Sequence, residues 1–132
     1  ANQHHDVLVF EGQGSLAHPR YSAVTLGLLH GAMPHGMILC YEAGREAVHG
    51  MEPIPLLPLT RLRTAYETMA QLMHPSKVIG VAINSRLLDD EQAEAERKRV
   101  RDELQLPVCD VLRDGPAELV DAVIQLRDEI VG

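Results

Sequence analysis

Hydrophobic positions along the chain fall into two alternating kinds of run. Short apolar runs occur at Val7–Phe10, Gly36–Tyr41, Lys77–Ile83 and Leu106–Asp110. Each is brief and apolar on both faces, which is the pattern of a strand covered on both sides in a parallel sheet. Between them lie longer stretches in which apolar residues return every three or four positions. These predict helices over Tyr21–Ala32, Thr60–Met73, Asp89–Leu104 and Ala117–Val131. Within Thr60–Met73 the recurring positions are Leu62, Ala65, Tyr66, Met69, Leu72 and Met73, of which the Met and Tyr positions are read as core. Pro19, Pro34, Gly36, His74-Pro75-Ser76 and Asp114-Gly115-Pro116 punctuate the pattern. Strand and helix alternate throughout, so the expected fold is α/β: a mostly parallel sheet with right-handed crossovers and helices on both faces. Glu46–Leu59 breaks the alternation, because Pro53, Pro55 and Pro58 oppose a regular helix or a central strand. It is expected to be an irregular loop, carrying His49 and Glu52 and able to act as a lid.

The ends of the predicted strands carry the candidate chemistry. In open α/β sheets, ligands bind beyond the carboxyl ends of the strands. The first run, Val7–Phe10, passes directly into Glu11-Gly12-Gln13-Gly14-Ser15. A carboxylate there can hold magnesium or a water, and glycines let the backbone turn and approach a ligand closely. The same glycines also serve a strand-loop-helix turn for geometry alone. The second run ends in Glu42-Ala43-Gly44-Arg45, suited to a ligand on the same rim or to a surface ion pair. The third ends in Asn84-Ser85-Arg86, where Asn84 can read a nucleobase or an amide, or close a turn. The dense charge over Asp89–Leu104 reads as a solvated helix covering the sheet.

Composition narrows the class. A chain of 132 residues with 45% hydrophobic and 23% charged residues is enough for one domain with an aliphatic core, since aromatics are only 3%. A net charge of −7 argues against a nucleic-acid partner. No apolar run is long enough to span a bilayer, so no membrane role is expected. Cys40 and Cys109 fit no zinc spacing and read as buried free thiols of a cytoplasmic protein. His4 and His5 are adjacent and His30 and His35 five apart, poor geometry for one metal ion. The sequence contains no GxxxxGK(S/T) phosphate loop, no GxGxxG and no GxSxG. Ser15 has His18 and His30 as conceivable bases, but no spacing specifies a triad.

The segment DVLVFEGQGSLAHPRYSAVTLGLLHGAMPHGMILCYEAGR, with VIGVAINSRLLDDEQA and LPVCDVLRDG after it, resembles the carboxyl-terminal half of a bacterial and archaeal family long described as a domain of unknown function. The resemblance runs over nearly the whole chain. Members join an amino-terminal Rossmann-like region to a P-loop-type domain, and some are D-glutamate N-acetyltransferases using acetyl-CoA. Residues 1–132 are then a single α/β unit, the later portion of a larger P-loop NTPase-like domain, beginning after its phosphate loop. There is a more distant similarity to dethiobiotin synthetase, which uses ATP and magnesium. By these resemblances Glu11 is the catalytic carboxylate, or a magnesium ligand. Gly12, Gln13, Gly14, Ser15, His18, Tyr21, Ser22, Glu42 and Arg45 would bind substrate or phosphate, and Asn84 the base. The implied partners are a small-molecule substrate, the missing amino-terminal half and further copies in a homo-oligomer. The segment alone is expected to be inactive. Two alternatives stay open: an ATP- and magnesium-dependent ligase- or kinase-like enzyme, and a non-catalytic binding or assembly domain.

Overall fold

The computed structural model describes residues 4–132. Ten elements follow one another: α1 (Ser22–Ala32), β1 (Gly36–Glu42), β2 (Ala47–Val48), β3 (Met51–Pro55), α2 (Leu59–Gln71), β4 (Lys77–Asn84), α3 (Asp90–Leu104), β5 (Val108–Cys109), α4 (Val111–Asp114) and α5 (Ala117–Val131). β1, β4 and β5 form a parallel sheet in the order β1-β4-β5. The α/β class, the parallel sheet and the four main helices match the expectation from periodicity.

A bulge fixes which residues face which way. Met37 pairs with Val78, but Ile38 pairs with Gly80, so Ile79 is the extra residue. An extra residue reverses the alternation beyond it. The reversal puts Val78, Val81 and Ile83 on one face together with Leu39, where they meet Leu59 of α2 and Val100 and Leu104 of α3. The other face belongs to α5: a methyl group added at Gly80 would collide with Leu119, and one at Gly36 with Leu126. α1 packs against α2, and His30 Nε2–H donates to the Met69 carbonyl at 2.9 Å. The amino end of α3 is built by its sequence. The Asp89 carboxylate accepts from the Gln92 N–H at 2.8 Å, and the Gln92 side chain accepts from the Asp89 N–H at 3.1 Å. This reciprocal cap, with Asp90 and Glu91 in the first turn, suits the positive end of the helix.

Four expectations are corrected. Met73, expected in the core, is 53% exposed, because α2 ends at Gln71 and the side chain lies beyond its buried face. Val7–Phe10 is not a central strand: it belongs to no sheet, and Val9 is 88% exposed. Among the described residues it has no strand beside it, and an apolar run without a ladder partner does not become a strand. Glu46–Leu59 is not irregular. Ala47–Val48 and Met51–Pro55 form an antiparallel hairpin turned at His49-Gly50, with Gly50 at φ 71°. A two-stranded ribbon is all edge, so Pro53 and Pro55 are tolerated in it. Cys40 is exposed; only Cys109 is a buried thiol. Cys40 lies on β1, whose far edge is bare among the described residues, and it points to the sheet face opposite Leu39.

Candidate functional site

The carboxyl ends of the parallel strands present a polar rim. At the end of β1 the Glu42 carboxylate is clasped by two guanidinium groups, with Arg45 on one oxygen and Arg86 on the other. Gly44, at φ 86°, lets the chain turn so that Arg45 folds back onto Glu42. At the end of β4 the Asn84 side-chain oxygen accepts from the Arg86 N–H at 3.1 Å, closing a turn that brings Arg86 over Glu42. The Asn84 carbonyl also accepts from the Ala43 N–H at 2.9 Å, locking the two strand ends together. Cys40, Tyr41, Glu42, Ala82, Ile83, Asn84 and Arg86 line an open hollow of about 430 Å³. It lies at the rim where a parallel sheet ordinarily meets its ligand.

Beneath the rim is a layer that holds it. Ser85 and Asp110 are buried, and the Ser85 hydroxyl donates to the Asp110 carboxylate. Asp110 also caps α4 by accepting from the Arg113 N–H at 3.3 Å. Arg113 reaches back to the Leu88 carbonyl at 2.8 Å and pairs with Asp90. The turn after β4 is therefore fixed from below while Asn84 and Arg86 stay exposed. Site reasoning from the sequence did not single out Ser85, Asp110, Arg86 or Arg113. Asp110 ends an apolar run just as Glu42 does, so the strand-tip signal marks it. Nothing in the spacing marks its partner.

The loop after Val7–Phe10 forms a second group. Glu11, Gly12, Gln13 and Gly14 are exposed. A methyl group at Gly12 would strike Leu28, and one at Gly14, whose φ is 76°, would strike Tyr21. The Thr25 hydroxyl donates to the Gln13 carbonyl at 3.1 Å, and the Leu16 N–H donates to the Tyr66 hydroxyl at 3.2 Å. Close packing on α1 thus accounts for both glycines. Ser15 accepts from the Ala17 N–H at 3.2 Å, and the Ser15 carbonyl accepts from the His18 N–H at 3.0 Å. His18 and Tyr21 stack at a tilt with ring centroids 4.6 Å apart, and Ser22 opens α1.

The two groups are linked electrostatically at Cys40. Desolvation first, and the negative charge of Glu11 second, raise the Cys40 thiol above its ordinary pKa. Cys40 itself lines the hollow beside Glu42. Glu11, Gly12, Gln13, Gly14, Ser15, His18, Tyr21, Ser22 and Arg45 do not line it. Glu42 and Asn84 are thus brought together around one hollow, and the charge of Glu11 is felt at Cys40 on its lining. Among the described residues no three His, Cys, Asp or Glu side chains are grouped to cage a metal ion, and no helix is long and apolar enough to cross a membrane.

Comparison with known proteins agrees with this architecture. The chain is 37% identical over 92% of its length to a D-glutamate N-acetyltransferase of Tritonibacter scottomollicae, covering 36% of that protein. It is 31% identical over 88% of its length to a D-glutamate N-acetyltransferase of a Pseudoalteromonas species, covering 34% of that one. The chain therefore spans about a third of the length of these curated relatives. A crystal structure of a DUF1611 family protein from Anabaena variabilis superposes with a TM-score of 0.81 at 36% identity, over 87% of this chain and 34% of that one. Residues 1–120 match the family model described as "Domain of unknown function (DUF1611_C) P-loop domain", and the chain belongs to that family.

Proposed function

We propose that this chain carries the strand-tip rim of an enzyme that acetylates the amine of D-glutamate from acetyl-CoA. The observation that bears most weight is the pair of guanidinium groups gathered on Glu42 at the rim, beside a hollow lined by Cys40, whose thiol feels the charge of Glu11. D-Glutamate carries two carboxylates, and arginine forks suit planar carboxylates. The names of the two relatives support the same acceptor and the same transfer.

In such a reaction the neutral amine attacks the thioester carbonyl carbon. The new C–N bond forms as the C–S bond breaks, the CoA thiolate leaves, and the ammonium proton must go to a base. Glu11 is exposed and ends the first apolar run, so it is assigned as that base. Arg45 and Arg86 would take substrate carboxylate by exchanging it for Glu42. Ser15, His18, Tyr21 and Ser22 at the amino end of α1 would contact substrate, and Gly12, Gln13 and Gly14 would give it backbone groups. Asn84 would meet the adenine of CoA.

A second reading is favoured by the P-loop description of the family model: ATP bound with magnesium on Glu11. Magnesium is commonly held by one or two carboxylates with phosphates and water completing the shell, so a lone Glu11 is compatible with it. The sequence has no phosphate-loop motif, so this segment alone is expected to bind either nucleotide weakly and to turn over nothing.

The deciding experiment uses the protein at its native length with acetyl-CoA plus D-glutamate, and separately with ATP plus magnesium. D-Glutamate-dependent thiol release is the expected result. ADP formation without thiol release replaces it with the second reading, and binding without either product makes the domain non-catalytic.

A further inference from the structure

A second hollow, of about 800 Å³, lies at the amino ends of the strands, opposite the rim. It sits where the turn entering β1, the turn entering β4 and the carboxyl end of α5 come together, and His35, His74, Lys77 and Leu126 are part of its lining. Each turn supplies one histidine. The two rings meet edge to face, with centroids 4.6 Å apart and planes at 81°. That spacing suits a shared ion. A metal–nitrogen bond of about 2.0–2.1 Å puts a ring centroid about 3 Å from the metal, and two rings at a tetrahedral centre about 5 Å apart.

The backbone holds the two turns in place. The His35 carbonyl accepts from the Lys77 N–H at 3.4 Å, which ties the first turn to the start of β4. The Gln71 side chain donates to the Ser76 carbonyl at 2.9 Å, which braces the second turn against α2. One ring is already set as a ligand. His74 Nδ1 lies 2.8 Å from the Pro75 carbonyl oxygen. A carbonyl only accepts, so Nδ1 carries the proton and Nε2 keeps its lone pair. A backbone carbonyl on one ring nitrogen is the usual means of orienting a metal-bound imidazole. His35 is exposed, so its ring can turn a nitrogen to the same ion. Lys77 is paired with Glu129 at 2.9 Å, which offsets its positive charge beside the rings.

We infer that His35 and His74 together bind one late first-row transition-metal ion, with water in its remaining positions. Imidazole nitrogen suits zinc, nickel and copper, whereas magnesium and calcium take oxygen ligands. Two protein ligands make the site open and modest in affinity, in keeping with the lack of a three-residue cluster among the described residues. The bound ion clips the turn entering β1 to the turn entering β4. It lies at the opposite end of these strands from Glu42 and Asn84, so its role is structural and independent of the reaction at the rim.

Calorimetric titration of the native-length protein with zinc chloride and with nickel chloride tests the inference, with magnesium chloride as the control. His4 and His5 are adjacent and could compete for metal, so every sample carries His4→Ala and His5→Ala. One equivalent of zinc and of nickel should bind, and none of magnesium. His35→Ala and His74→Ala should each weaken that equivalent by at least about tenfold, since even the outer partners of a ligating histidine are worth about 10- to 100-fold. A second measurement needs neither variant: substoichiometric copper(II) sulfate should broaden the ring NMR signals of His35 and His74 before those of other histidines. Zinc binding unchanged in both variants would overturn the inference. So would copper broadening that begins at other histidines, or magnesium competing for the same equivalent.

Discussion

Two apolar stretches of closely similar composition take opposite fates. Val78–Ile83 of β4 sits between β1 and β5, and Val81 is fully buried with 0% exposure. Val7–Phe10 is as rich in β-forming residues, yet it lies in the open with Phe10 59% exposed. Composition and alternation do not separate them. Neighbours do: β4 has a ladder on each edge and a helical layer on each face, and the first segment has neither among the described residues. Burying a valine or leucine side chain is worth about 1.5–3 kcal/mol, but only if another surface is there to cover it. The hydrophobic pattern of a segment therefore states what the segment requires, not what it has received.

The largest test of this contrast is one charge placed in each stretch. Val81→Asp should destabilise the chain by about 3–5 kcal/mol in urea unfolding, because an unpaired carboxylate would sit in a sealed core. Val9→Asp should move the same midpoint by less than about 0.5 kcal/mol, since its site is already wet. Comparable losses from the two would erase the distinction.

A smaller effect separates the layer under the rim from the rim itself. Asp110→Ala strands the buried Ser85 hydroxyl and removes the cap of α4, and should cost about 2–3 kcal/mol. Glu42→Gln removes one partner of two partly exposed ion pairs and should cost less than about 1 kcal/mol. Urea midpoints of the two variants measure the difference. If Glu42→Gln costs as much as Asp110→Ala, the rim is part of the structural frame.

The smallest effect reads the seam between the two regions. Cys40 should react with iodoacetamide as a thiol of raised pKa, its rate climbing with pH to a midpoint above the ordinary value of about 8.5. A nearby negative charge disfavours the thiolate, so Glu11→Gln should lower that midpoint. A pH–rate curve unaltered by Glu11→Gln would separate Glu11 from the sheet.

Much of the fold is legible in the sequence because helices and doubly covered strands write their burial into their spacing. Ala117–Val131 is predicted to the residue, and α3 begins one residue after the start expected at Asp89. The hairpin at 47–55 escapes because prolines exclude a central strand but not an edge ribbon. Cys40 is misjudged because β1 lacks a neighbour on one side among the described residues, and a strand's own residues do not record which neighbours it has. At the site, Glu42 and Asn84 are readable as polar groups ending apolar runs. The contact between Ser85 and Asp110 joins residues 25 positions apart, so it arises from the pairing of β4 with β5, which no local pattern encodes.

The account's central claim is that the rim at the strand ends, with Glu11 beside it, is where chemistry takes place. Thiol release from acetyl-CoA in the presence of D-glutamate, measured on the native-length protein carrying Glu11→Gln, tests it most directly. The account predicts a fall in turnover of about a hundredfold or more with the melting temperature unchanged. Turnover equal to that of the unaltered protein would contradict it.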